Sequence, residues 1–211
     1  GRAGASGGPP PLRPASQEGE NLLSWWREHH PQTLLDPRVV PLLDSWRRAL
    51  ERLDPAFDGA LTHPLIHGDA VLTNIVVAPD GVPRFIDFEW AGPGDPAKDL
   101  ALIGGRATGG PWYAPMSRAE ILALVTEYAE YVEHVRSARD PRHEIEAGTD
   151  AVLDVIPADP QQLLARRDAW ELLDRLPNLL YCLSRAETSS RHARWADDLS
   201  ASLGALLAAG G

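Results

Sequence analysis

A single turn fixes where this chain leaves helical structure. Pro79-Asp80-Gly81 separates Ile75-Val76-Val77 from Arg84-Phe85-Ile86, and Gly tolerates the positive φ that a tight reversal needs. Two short β-rich runs around such a turn predict a β-hairpin over residues 75–87. Elsewhere apolar residues recur at helical spacing. Leu22, Leu23, Trp25 and Trp26 supply a short helix that Pro31 ends. Asp36-Pro37 reads as an N-cap and first-turn pair ahead of Val39, Val40, Leu42, Leu43, Trp46, Leu50 and Leu53. Ser117 and Glu120 form a capping-box pattern before Ile121, Leu122, Leu124, Val125, Tyr128 and Val132. Helix signals resume at about residues 161–185, where Pro177 is expected to kink or divide them, and a last helix is expected over 190–208. A Gly- and Pro-rich passage joins the hairpin to Pro115, and residues 140–159 form an acidic, poorly periodic connection. The fold class predicted is mainly α (α+β), a helical body with one small hairpin.

The first nineteen residues contain five Gly and four Pro and one large aliphatic. They read as a flexible arm, because so little apolar surface cannot offset its ordering entropy. Residues 20–211 are then the folded unit. A linker-like start without an initiating Met leads us to expect a preceding segment. The apolar fraction of 44% and charged fraction of 24% fit a globular core. A net charge of −10 argues against nucleic acid or an anionic membrane as partner. No apolar run is long enough to span a bilayer, and no signal peptide opens the chain. The one cysteine, Cys182, lies among leucines; it excludes an internal disulfide and fits a reducing, cytoplasmic location.

The chemistry is concentrated in two short runs, Leu65 to Asn74 and Phe85 to Glu89. They place Asp69 five residues before Asn74 and eighteen before Asp87. Phosphoryl transfer from a nucleotide needs a carboxylate to orient the attacking hydroxyl and take its proton. It also needs oxygen ligands to hold Mg²⁺ on the phosphates. A hairpin between Asn74 and Asp87 returns the chain, so a catalytic loop and a distant carboxylate can meet. A hydrolytic metal site built on His67, Asp69 and Asp87 is disfavoured, since such sites usually want more His or Cys. No two of His29, His30 and His63 stand at the helical i, i+4 spacing of a tight site.

These residues resemble the catalytic loop and metal-binding segment of protein-kinase-like enzymes. The closer resemblance is to the aminoglycoside phosphotransferase and choline-kinase-like small-molecule kinases. It rests on Gly68 after His67, Glu89 after Asp87-Phe88, and Gly94-Asp95-Pro96-Ala97-Lys98-Asp99-Leu100. It is densest over residues 65–101. It implies the helical C-terminal lobe of a protein-kinase-like fold. Asp69 would be the catalytic base or hydroxyl-orienting group, and Asn74 and Asp87 the Mg²⁺ ligands of the ATP site. His67 and Asp99 would brace the loop. The acceptor would be a small-molecule hydroxyl, with Trp90, Trp112 and Tyr113 as acceptor contacts. The acids of 140–159 suit a cationic acceptor, although a solvated acidic loop explains them better.

The same resemblance implies an N-terminal lobe whose lysine pairs with the nucleotide phosphates. Against nineteen arginines the chain has one lysine, Lys98, and it follows Asp87 inside the Gly94–Leu100 segment. We therefore expect the N-terminal nucleotide lobe to be absent here, supplied by the same gene or by a separate chain. The competing reading is a non-catalytic, kinase-derived binding or regulatory module.

Overall fold

The computed structural model describes residues 9–138 and 159–210. The helices are α1 (Ala15–His29), α2 (Val40–Leu53), α3 (Pro96–Ile103), α4 (Arg118–Ser137), α5 (Pro160–Arg185) and α6 (Ser190–Ala209). Three two-stranded ladders and four short 3₁₀ turns accompany them among the described residues. β1 (His63–Ile66) pairs antiparallel with β4 (Gly92–Gly94), and β2 (Ile75–Val77) with β3 (Pro83–Phe85); β5 (Gly104–Gly105) runs parallel to β6 (Ala114–Pro115). The protein is mainly α, with the small hairpin where the Pro-Asp-Gly turn puts it.

α5 is the axis of the body and touches α1, α2, α3, α4 and α6. Its leucines Leu172, Leu176, Leu179 and Leu180 meet Leu23 and Trp26 of α1, Trp46 and Leu50 of α2, and Leu199 and Leu203 of α6 in the larger core cluster. Trp46 is fully buried, and its indole N–H donates to the Leu172 carbonyl at 2.9 Å. A second cluster joins Ala97 and Leu100 of α3 to Ile121 and Val125 of α4 and Leu163 and Leu164 of α5. Trp170 packs against both clusters.

Several expectations are corrected. Residues 15–19, expected to belong to a flexible arm, instead open α1 at Ala15, which is fully buried. Leu12 N–H bonds the Ala60 carbonyl and Thr62 N–H the Pro10 carbonyl, which ties residues 10–12 to the segment before β1. Gly19 also lies inside: a Cβ there would come within 2.6 Å of Leu50 Cδ1. α2 starts at Val40, because Asp36 instead turns back to bind the Arg38 N–H and guanidinium. Pro177 lies inside a continuous α5 and does not divide it. The Gly94–Leu100 stretch is the start of helix α3, with the Asp95 carboxylate capping Ala97 N–H at 3.0 Å and Pro96 in the first turn. The Ser117/Glu120 capping box is present at the start of α4. The acidic connection lies outside the described residues except Asp159, which caps α5 through Gln161 N–H. No helix among the described residues is long and apolar enough to cross a membrane.

Candidate active site

The Asp69 loop is held from three sides. Behind it, the Asp99 carboxylate on α3 accepts the His67 N–H at 2.7 Å and the Gly68 N–H at 2.9 Å. On the hairpin side, His67 Nε2 lies 2.9 Å from the Ile86 carbonyl, and the Asp69 N–H donates to His67 Nδ1 at 3.3 Å. Both bonds require the tautomer with hydrogen on Nε2, so His67 is consumed as a brace. Its ring packs against Phe88 at 4.6 Å between centroids and against Phe85 at 5.3 Å. At the far end, the Leu72 N–H donates to the Trp112 carbonyl at 2.8 Å.

Gly68 has φ +81°, and a Cβ there would sit 2.3 Å from the Trp90 carbonyl oxygen. Trp90 and Trp112 thus press their carbonyls on opposite ends of the loop that carries Asp69. Trp90 is exposed and Trp112 half-buried, its ring edge-on to Trp195 at 4.9 Å. Tyr113 turns inward instead. It is 4% exposed, its hydroxyl donates to Asp174 at 2.7 Å and accepts from Asn178, and the Arg175 guanidinium lies over its ring. Burial holds the Tyr113 hydroxyl well above the usual tyrosine value, so it stays protonated. The three aromatic side chains named from the sequence do not form one surface.

Asn74 and Asp87 are brought together by the hairpin. Its ladder continues one residue beyond the Ile75–Phe85 pair, where the Ile86 N–H meets the Asn74 carbonyl at 2.9 Å. Asp87 therefore leaves the hairpin beside Asn74. Asn74 is buried, and its Nδ2 donates to Asp69 Oδ2 at 2.8 Å and to the Asp69 carbonyl at 3.0 Å. With its nitrogen so occupied, the Asn74 amide presents its oxygen to a further partner. Asp87 is exposed and adopts φ 63°, the sole positive φ at a non-glycine among the described residues. Such a conformation costs an ordinary residue on the order of 1–3 kcal/mol and concentrates at functional positions. No signal in the linear sequence marks that strain. No group of three or more His, Cys, Asp or Glu among the described residues is arranged to hold a metal unaided. Asn74 and Asp87 offer hard oxygens of the kind Mg²⁺ takes alongside phosphates and water.

Residues 5–134, more than half of the chain, match the model of the phosphotransferase enzyme family known as APH. The chain belongs to that family. This phosphotransferase-family chain is also similar to viomycin phosphotransferase of Streptomyces vinaceus, 38% identical over 86 residues. That match covers 37% of this chain and 29% of the relative. No solved structure matches it significantly. Membership accounts for the architecture: a helical lobe of protein-kinase-like fold, with its loop, hairpin and α3 in one place.

Burial pushes the Asp99 carboxyl above the ordinary carboxylate value, outweighing the two backbone donors and the nearby His67 and Lys98 that lower it. A carboxyl whose folded pKa is raised contributes stability that is complete below the unfolded pKa and is lost as pH rises through the folded one. The ionised form of Asp99 therefore costs the fold stability while it holds the loop. The stability advantage of the parent over Asp99→Asn is expected to grow as pH falls from neutral through the titration of Asp99, read by urea unfolding of both proteins. An advantage that shrinks on acidification would contradict the burial argument.

Proposed function

We propose that this chain is the catalytic and acceptor-binding lobe of a kinase. It would move the terminal phosphoryl group of ATP to a hydroxyl on a small molecule, an antibiotic in the first instance. The observation that carries this reading is the Asp69–Asn74–Asp87 arrangement. Asp69 orients the acceptor O–H and takes its proton as the new O–P bond forms and ADP leaves. Asn74 steadies Asp69 through Nδ2 and, with Asp87, would hold Mg²⁺, which when bound neutralises charge on the phosphates. The viomycin phosphotransferase similarity supports an antibiotic as acceptor, and a cytoplasmic setting fits a reaction that uses ATP.

The nucleotide half of the reaction needs a lysine that these residues do not supply. Lys98 lies in the first turn of α3, the helix whose Asp99 backs the Asp69 loop. Beside the site, Val76, Val77, Phe85 and Ile86 of the hairpin and Phe88 just after it are exposed apolar residues on both sides of the strands. A lysine-bearing nucleotide lobe seated against the hairpin would cover part of that apolar surface and complete the ATP site.

The test is a phosphotransfer assay with labelled ATP, Mg²⁺ and a panel of hydroxylated acceptors including viomycin. It compares the 211-residue chain with the longest natural reading frame that contains it. Negligible transfer by the 211 residues and Asp69-dependent transfer by the longer protein are expected. Robust turnover by the shorter chain, lost on Asp69→Ala, would overturn the need for a second lobe. No transfer by either, with acceptor binding intact, would favour the non-catalytic module, the reading to which the single lysine lends weight.

A further inference from the structure

A buried charge pair lies one helix away from the Asp69 loop. Asp95 is 1% exposed and Arg166 of α5 is 2% exposed, and Arg166 Nε lies 3.0 Å from Asp95 Oδ2. The indole N–H of Trp170, one turn further along α5, donates to the same oxygen at 2.9 Å. The other Asp95 oxygen caps Ala97 N–H at the start of α3. One turn on, α3 presents Asp99, whose two oxygens hold the His67 and Gly68 N–H groups next to Asp69. The Arg166 ion pair and the Trp170 hydrogen bond thus hold Asp95 at the start of α3, and the α3 backbone joins Asp95 to the Asp99 carboxylate that holds the loop.

Stability alone is a weak reason for that pair. Desolvation of two buried ions offsets much of their attraction, and apolar replacements of similar volume are often neutral or stabilising. In some proteins a buried ion pair instead selects one preferred position for the elements it joins. α3 has only eight residues and starts from a glycine-rich strand, so its own hydrogen bonds fix its axial position poorly. We propose that Arg166 and Trp170 are positioning residues for phosphotransfer: through Asp95 they set α3, and through Asp99 they set the loop that aims Asp69. The catalytic consequence rests on the function proposed above, whereas the structural coupling does not.

The experiment therefore reads the loop directly, by amide exchange in the full chain, with kcat and KM as a second measurement. Asp95→Asn keeps the cap, since Asn is as good an N-cap as Asp, and removes the charge. Trp170→Phe keeps the ring and removes one donor. Exchange at His67 and Gly68 is expected to quicken at least tenfold in Asp95→Asn and in Arg166→Met, and less in Trp170→Phe. Arg166→Lys is expected to restore part of the protection, and Leu199 and Leu203 of α6 to exchange as in the parent. In the active enzyme kcat is expected to fall about tenfold with KM for ATP within twofold. Unchanged exchange at His67 and Gly68 in a folded Trp170→Phe or Asp95→Asn protein would overturn the proposal. Equal acceleration at Leu199 and Leu203 would overturn it as well, because the pair would then serve general stability. A parent enzyme that transfers no phosphate, with the exchange pattern intact, would count against the function and leave the coupling standing.

Discussion

Exchange of Asp69 for Asn is expected to lower kcat on the order of 10²–10⁴-fold, with KM for ATP little changed and the fold intact. The substitution is isosteric and the side chain is only half-buried. Its one side-chain hydrogen bond among the described residues, from Asn74 Nδ2, finds an amide oxygen in place of the carboxylate. In the proposed reaction, what disappears is the group that accepts the hydroxyl proton as the acceptor attacks. A loss confined to kcat marks an interaction made in the transition state, while a rise in KM alone would mark ground-state binding. Steady-state kinetics on the active enzyme, with unfolding curves of both proteins, separates these cases. A variant that keeps kcat within threefold of the parent would sink the proton-acceptor role of Asp69. Asn74→Ala makes a useful contrast, since it removes the oxygen proposed for Mg²⁺ and the Nδ2 support of Asp69 together, so both kcat and the Mg²⁺ requirement should suffer.

The parts of this fold legible in the sequence are those whose cause is local. Pro79-Asp80-Gly81 makes its own turn, and Gly81 takes φ +79° within it. Ser117 and Glu120 cap α4 by reaching only three residues. The motif residues were legible as types at a spacing, and the hairpin explains how Asn74 and Asp87 become neighbours. The remainder depends on tertiary contact. Gly92-Pro93-Gly94 has no strand-forming side chains and becomes β4 only because β1 offers a partner. α3 was hidden by flanking Gly and Pro that serve as cap, first turn and strand. Along α5, Arg166, Arg167, Glu171 and Arg175 are charged residues, yet all four are buried. Arg166 pairs with Asp95, and the other three serve the end of α3 and the loop after it: Arg167 donates to the Gly104 carbonyl, Glu171 accepts Ala107 N–H at 2.8 Å, and Arg175 binds the carbonyls of Ala101 and Ala107 at 2.9 Å. Backbone groups of a buried loop need partners, and long charged side chains from a neighbouring helix supply them. Periodicity carries no trace of such an arrangement.

Gly68→Ala should be the most damaging small substitution near the site, and Gly81→Ala shows why. The two glycines have nearly the same backbone, φ +81° and +79°, so an added methyl meets the same left-handed strain at both, about 1–2 kcal/mol. They differ in surroundings. At Gly81 a Cβ would meet nothing within 4 Å, whereas at Gly68 it would lie 2.3 Å from the Trp90 carbonyl oxygen and 3.1 Å from its carbon. Neither side can yield cheaply. The Gly68 N–H is held by Asp99, and Trp90 lies in the short 3₁₀ turn, Phe88–Trp90, that follows the strained Asp87. Gly68→Ala is therefore expected to destabilise by more than about 3 kcal/mol, against about 1 kcal/mol for Gly81→Ala. Urea midpoints at matched m-values measure the difference directly. That difference cancels the shared backbone strain and isolates the contact between the Asp69 loop and the Asp87 turn. Equal losses at the two positions would mean that the Trp90 carbonyl moves aside freely, and that the two halves of the site are not held in register by this contact.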